Sequence, residues 1–95
     1  MNQREVERKN RLERIERTRA QLLQVCTERQ ITITADERVS ETDAAVLLGC
    51  AAGSLKNMRT LGTSPPFYRR AMNNSRVSYR LSDLAEWIEN GREDW

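Results

Sequence analysis

The spacing of apolar positions changes along this chain, and each change marks a boundary between elements. Residues 3–29 contain neither Gly nor Pro and are rich in Arg, Glu, Leu and Gln, all favourable helix formers, which predicts one long helix. Glu5 with Lys9, Glu7 with Arg11 and Glu13 with Arg17 place the acid four residues before the base, the better orientation for ion pairs on a helix surface. Apolar positions in this helix are sparse. Leu12, Ile15, Leu22 and Cys26 read as a, d, d and a of a heptad, Arg19 fills the intervening a slot, and Val6 is out of register. The seam predicts pairing with a second copy through Leu12, Ile15, Leu22 and Cys26. Two alternatives stay open: Leu22, Leu23, Val25 and Cys26 dock on the chain's own domain, or the arginines touch DNA directly, which the interspersed glutamates oppose. At about 1.5 Å per residue such a helix reaches roughly 40 Å, so part of it should project.

Residues 31–34 are β-prone and read as a strand or an extended linker. A short helix then starts at Ser40, with Asp43 three residues on as an acidic variant of the capping box. Ala44, Ala45, Leu47 and Leu48 form its inward face, and Gly49 supplies a left-handed stop. A second helix is expected from Ala52 to about Leu61, with Leu55 and Met58 one turn apart and Gly62 closing it. Two short helices about a tight turn make a helix-turn-helix, whose second helix is the one able to enter a major groove. Pro65 and Pro66 then forbid helix. An extended run over 67–72, a polar tip at Asn73-Asn74-Ser75 and a second run over 76–80 predict a hairpin. Ser82 is the expected cap of a last helix carrying Leu84, Trp87 and Ile88 and ending at Asn90-Gly91. Of the aromatic residues, Phe67, Tyr79 and Trp87 are expected in the core, because two strands alone make a poor stacking platform for bases.

Charge changes this picture from a fold to a candidate activity. The chain's net charge is only +2, yet residues 44–82 contain no carboxylate while carrying Lys56, Arg59, Arg69, Arg70, Arg76 and Arg80. Asp36, Glu37, Glu41 and Asp43 precede that stretch, and Asp83, Glu86 and Glu89 follow it. Basic charge confined to one segment points to a phosphate backbone as partner. With 95 residues there is room for one domain, divided as 1–30 (N-terminal helix), 31–91 (DNA-binding domain) and 92–95 (frayed tail).

Other chemistries find little support. The charged start shows no signal or transit peptide, and the longest apolar run, 44–48, is too short to span a membrane, so a cytoplasmic location is expected. Cys26 and Cys50 stand alone in a chain without histidine, which leaves too few soft ligands for zinc and suggests buried free thiols. No phosphate-loop pattern and no nucleophile beside a base is present, so no enzyme activity, metal, cofactor or small-molecule ligand is expected.

In their order, these motifs resemble the winged helix-turn-helix of MerR-like regulators and phage excisionases. Val39-Ser40, Asp43-Ala44-Ala45 and Leu47-Leu48-Gly49 are similar to that family's opening helix. Ser64-Pro65-Pro66-Phe67-Tyr68-Arg69 is similar to the start of its wing, and Arg76-Val77-Ser78-Tyr79-Arg80-Leu81-Ser82-Asp83-Leu84 with Trp87 to the wing's exit and closing helix. The resemblance covers about 38–90 and implies a mainly α fold with a small β-hairpin wing, here preceded by a long N-terminal helix. The chain departs from the pattern at Cys50-Ala51-Ala52-Gly53-Ser54, where the family usually has a Ser or Thr cap, so the recognition helix starts either near Ala52 or at Ser54. An effector-sensing role is not expected, since the family's ligand-sensing regulators carry that part after the DNA-binding domain.

The expected function is therefore sequence-specific binding of double-stranded DNA, as a small transcriptional regulator or a recombination directionality factor of a mobile element. Gly53, Lys56, Asn57 and Thr60 are the groove-facing candidates, with Ser54 and Arg59 at the margins. Lys can donate to guanine and Asn can pair bidentately with adenine, while Gly53 lets the backbone approach closely. Arg69, Arg70 and Arg76, with Asn73 and Asn74 at the tip, are assigned to phosphate and minor-groove contact. Copies should assemble on DNA as a dimer or a cooperative row. The alternative is a structural or DNA-packaging adaptor that acts through the N-terminal helix.

Overall fold

The computed structural model describes residues 2–70 and 76–93. Four helices and three strands follow in the order α1 (Gln3–Glu28), β1 (Arg38–Ser40), α2 (Glu41–Leu48), α3 (Ala52–Leu61), β2 (Tyr68–Arg69), β3 (Val77–Arg80) and α4 (Leu81–Asn90). The fold is mainly helical with one small antiparallel sheet. Among the described residues no helix is long and apolar enough to cross a membrane.

The long helix forms as its composition requires, but its apolar face turns inward. Leu22 and Cys26 are buried in the same core as Val39, Ala44, Ala45, Leu55, Tyr79, Leu81, Leu84 and Ala85, and Ile15 packs against that cluster. The proposed pairing seam is thus corrected at Leu22 and Cys26: these side chains face the chain's own domain, chiefly α4, and only Leu12 remains open, at 58% exposure. Burial also pushes the Cys26 thiol above its ordinary pKa, as for a structural cysteine. Arg19, the polar residue of the heptad, bonds Glu16 and reaches Glu37 at 2.8 Å, so it fastens α1 to the loop before β1. Thr18 and Arg14 meet Glu89 of α4, and Arg11 bonds Asn90. Residues 2–10 are exposed throughout and form the projecting end.

Residues 31–34 adopt the extended linker of the two readings left open. Ile31 and Ile33 pack on the core while Thr32 and Thr34 face out, but the backbone turns instead of joining a ladder: Thr34 N donates to Arg38 O and Glu37 N to Thr34 O, both at 3.0 Å. The strand sits four residues later, at β1, so the sheet has three strands in the order β1-β3-β2 instead of the hairpin alone. Arg38 faces Arg80, Val39 faces Tyr79 and Ser40 faces Ser78, while Tyr68 lies on the other side of Ser78. Alternation puts buried Val39 and Tyr79 on the inner face and Arg38, Arg80, Ser78 and Tyr68 on the outer one.

Helix α2 begins as expected, Ser40 Oγ accepting from Asp43 N at 3.1 Å, and ends on Gly49 in the left-handed region (φ 75°). Helix α4 does not use Ser82 as its cap. Strand β3 runs straight into it, Leu81 is its first residue, and the Leu81 amide donates to Glu37 O at 2.8 Å. A tertiary carbonyl thus satisfies the first of the amides that a helix N-terminus leaves without an intrahelical acceptor.

Glu41, the first residue of α2, ties the elements together. Its carboxylate accepts from Arg59 Nε (2.7 Å) and Nη2 (3.0 Å) on α3, and from the Tyr79 hydroxyl (2.7 Å) on β3. The Arg59 hydrogen bonds hold the Glu41 carboxyl below its ordinary value of 4.5, with Tyr79 adding to them against the opposing effect of burial. Tyr79 is pushed above its ordinary range, mainly by burial and then by the adjacent carboxylate.

Glu41→Ala should lower unfolding free energy by about 2 kcal/mol, because it leaves an inward-facing guanidinium and a buried hydroxyl without their acceptor. Leu55→Ala, at a position with no exposure, should cost about 2–5 kcal/mol. Urea titration measures both. A carboxyl depressed in the folded state stabilises above its unfolded pKa and loses that contribution as pH falls through the folded value. The difference in urea midpoint between the wild type and Glu41→Gln should therefore shrink as pH is lowered below about 4.5.

Candidate nucleic-acid interface

Helix α3 starts without a side-chain cap. Ala51 is extended (φ −79°, ψ 149°), and Ser54 lies within the helix, its amide donating to Ala51 O at 3.0 Å. Of the two possible starts, the earlier one is adopted. Leu55 is fully buried, Met58 and Arg59 are half-buried, and Gly53, Ser54, Lys56, Asn57 and Thr60 are exposed. Gly53, Lys56, Asn57 and Thr60 share one stripe of the helix because steps of three and four residues return to the same side.

Arg59 does not belong to that stripe. It lies four residues from Leu55, on the inward side, and its bidentate pair with Glu41 leaves its side chain 15% exposed. The role expected for it at the margin of the exposed face is corrected to one of positioning α3. Thr60 Oγ1 donates to Lys56 O at 3.2 Å, within its own helix. The side chains of Lys56 and Asn57 make no hydrogen bond or ion pair among the described residues. A Cβ on Gly53 would meet nothing within 4 Å, so the fold itself does not require glycine there.

The base of the hairpin lies close to this helix. Phe67 carries the Arg59 guanidinium at 5.6 Å and that of Arg69 at 5.8 Å from its ring centroid, linking α3 to β2 through one aromatic ring. Phe67 is 38% exposed, so it is a platform for two cations instead of the core residue expected; Trp87 is half-buried, and Tyr79 alone of the three is fully interior. Arg70 N donates to Arg76 O at 3.2 Å, closing the ladder toward the tip. Both arginines are exposed and make no ion pair among the described residues. Asn73 and Asn74 lie outside the described residues, as does the end of the tail at 94–95.

Arg80 is drawn away from the expected basic surface. It bonds Asp36 Oδ2 at 2.9 Å and stands 5.0 Å from the Tyr68 ring centroid, while Arg38 bonds both oxygens of Asp36 and stands 5.3 Å from that ring. The register sets Arg38 opposite Arg80, a like-charge pair that Asp36 neutralises; the Thr34 hydroxyl first, then Arg38 and Arg80, hold the Asp36 carboxyl well below the usual carboxylate range.

Sequence reasoning missed Glu41, Asp36 and Arg38 as parts of this region. A signal for Arg38 was present: Arg38-Val39-Ser40 is mirrored by Ser78-Tyr79-Arg80, the pattern of two antiparallel strands in register. Of the six cations in the acid-free stretch, Arg59 and Arg80 are paired to carboxylates from outside it. Lys56, Arg69, Arg70 and Arg76 make no ion pair among the described residues. Comparison with protein-family models, curated proteins and solved structures finds no significant match for this chain.

Proposed function

We propose that this chain is a non-enzymatic, sequence-specific binder of double-stranded DNA with a winged helix-turn-helix arrangement. In that arrangement α3 enters the major groove and the β2–β3 hairpin contacts the neighbouring backbone or minor groove. The observation that carries this reading is the exposed stripe of Gly53, Lys56, Asn57 and Thr60, set one aromatic ring away from a hairpin base bearing Arg69, Arg70 and Arg76. Lys56 and Asn57 supply base-edge contacts, and the hairpin arginines supply phosphate contacts that fix the register. Such a protein serves as a small transcriptional regulator or as a directionality factor in recombination of a mobile element, acting in the cytoplasm. Both tasks use the same groove reading and the same placement of copies along DNA.

A second reading has its own observation. Residues 2–10 are exposed along their whole length and Leu12 stands open beside them, as an assembly adaptor would present a partner-binding helix. In the DNA-binding reading this segment pairs copies of the chain, since Leu22 and Cys26 are occupied by the core. Deleting everything before residue 31 would remove core side chains, so the informative truncation stops at Arg11. That shortened chain should keep its thermal midpoint and its affinity for a single DNA site while losing cooperativity between sites. Loss of assembly with a second protein, without a change in DNA affinity, would favour the adaptor.

For the DNA reading, Arg70→Ala should weaken binding to all duplexes and lower the slope of log affinity against log salt by about one unit. Asn57→Ala should keep that slope and relax preference at one base pair by about 1–3 kcal/mol. Fluorescence anisotropy across a salt series reads the first, and selection from a randomised duplex pool reads the second. Unchanged binding in both variants would remove the site assignment.

A further inference from the structure

The outer face of the sheet carries a groove of about 320 Å³ between β1 and the hairpin, lined by Thr34, Arg38, Ser40, Arg70, Arg76 and Ser78 together with Val77. Three guanidinium groups therefore line one concavity with three hydroxyls; Thr34 Oγ1 already donates to Asp36 and Ser40 Oγ to Asp43 at 3.0 Å, which leaves the Ser78 hydroxyl to donate. Arg38 is held there by its neighbours: Nε bonds Asp36, Nη1 donates to Ser78 Oγ at 3.1 Å, and the guanidinium stacks over Tyr68. An arginine fixed by stacking and by one edge loses less freedom when its remaining donors meet an oxyanion. Asp36, whose charge Arg80 shares, and Asp43, bonded to Ser40, are the carboxylates beside this groove; against Arg38, Arg70, Arg76 and Arg80 the excess in and around it stays positive. The Ser78 hydroxyl beside the fixed Arg38 guanidinium, with Arg70 and Arg76 opposite, matches the tetrahedral oxygens of a phosphate diester.

We infer that this groove seats a backbone phosphate of bound DNA, which makes Arg38 a phosphate-contact residue although it lies outside the acid-free stretch. The inference rests on the DNA-binding reading and extends it: α3 and the hairpin base meet one part of the backbone, and the outer sheet face meets another. Arg38 and Ser78 give the groove its wall on the side away from the hairpin tip, and Arg70 and Arg76 belong to both surfaces.

The test uses the full chain and a mixed-sequence duplex, with affinity measured across a salt series. Arg38→Ala should lower the salt slope by about one unit and leave sequence preference unchanged. Arg17→Ala, which removes the same charge from the exposed side of α1, should leave the slope unaltered. Ser78→Asp places a negative charge in the groove without removing Arg38 and should weaken binding too, which keeps the test open if Arg38→Ala fails to fold by circular dichroism. A slope for Arg38→Ala equal to that of the wild type, or full affinity in folded Ser78→Asp, overturns the inference. If Arg70→Ala still lowers the slope in that case, the DNA-binding reading stands and only the groove assignment falls; a wild type that binds no duplex removes both. Inorganic phosphate at constant ionic strength provides the last arm. Stabilisation by phosphate that depends on Arg38, with no effect of Arg38 on duplex binding, would make the groove a free-anion site and overturn the assignment to DNA.

Discussion

The Glu41 carboxylate is the contact on which the arrangement of this small domain depends. It stands at the first position of α2 and accepts hydrogen bonds from α3 through Arg59 and from the sheet through Tyr79. Helices of eight and ten residues have little stability alone, so their mutual orientation must come from tertiary contacts. A bidentate guanidinium–carboxylate pair sets direction as well as distance. With Leu55 buried one turn before Arg59, it determines which side of α3 faces inward, and therefore that Lys56 and Asn57 face out.

The same pairing sorts the charges. In sequence the basic stretch looks uniform, but the carboxylates that flank it fold back onto two of its members: Glu41 meets Arg59, and Asp36 meets Arg80 and Arg38. Acids near the edge of the stretch thus serve as internal anchors. The hairpin arginines make no ion pair among the described residues, and Arg38 from the acidic flank joins Arg70 and Arg76 on the sheet's outer face.

The long helix follows a related logic. A heptad interrupted by arginine looks like a weak seam for a second copy, yet Arg19 has acceptors in Glu16 and in Glu37 of the same chain, and Leu22 and Cys26 complete a core that a domain this small needs. Polar contacts from Arg11, Arg14 and Thr18 to α4 then extend the packing toward the projecting end. That end, with Leu12, stays exposed.

Local chemistry was enough to reveal much of this protein. The Gly-free and Pro-free run of α1, the Ser40 cap with Gly49 as stop, the Gly62 stop of α3 and the break at Pro65-Pro66 are each set by residues within a turn or two, and all are legible in the order of the amino acids. So is the exposed stripe of α3, since helical spacing alone places Lys56 and Asn57 opposite Leu55. Contacts between residues far apart in the chain were not legible. The strand β1 exists because β3 lies beside it, the first amide of α4 is satisfied by Glu37, and Arg59 and Arg80 turn away from the basic surface because Glu41 and Asp36 lie within reach. Periodicity records the face a side chain occupies on its own element. The partner opposite that face is determined only when the elements pack, because hydrogen bonds and ion pairs depend on distances in space that no local pattern encodes.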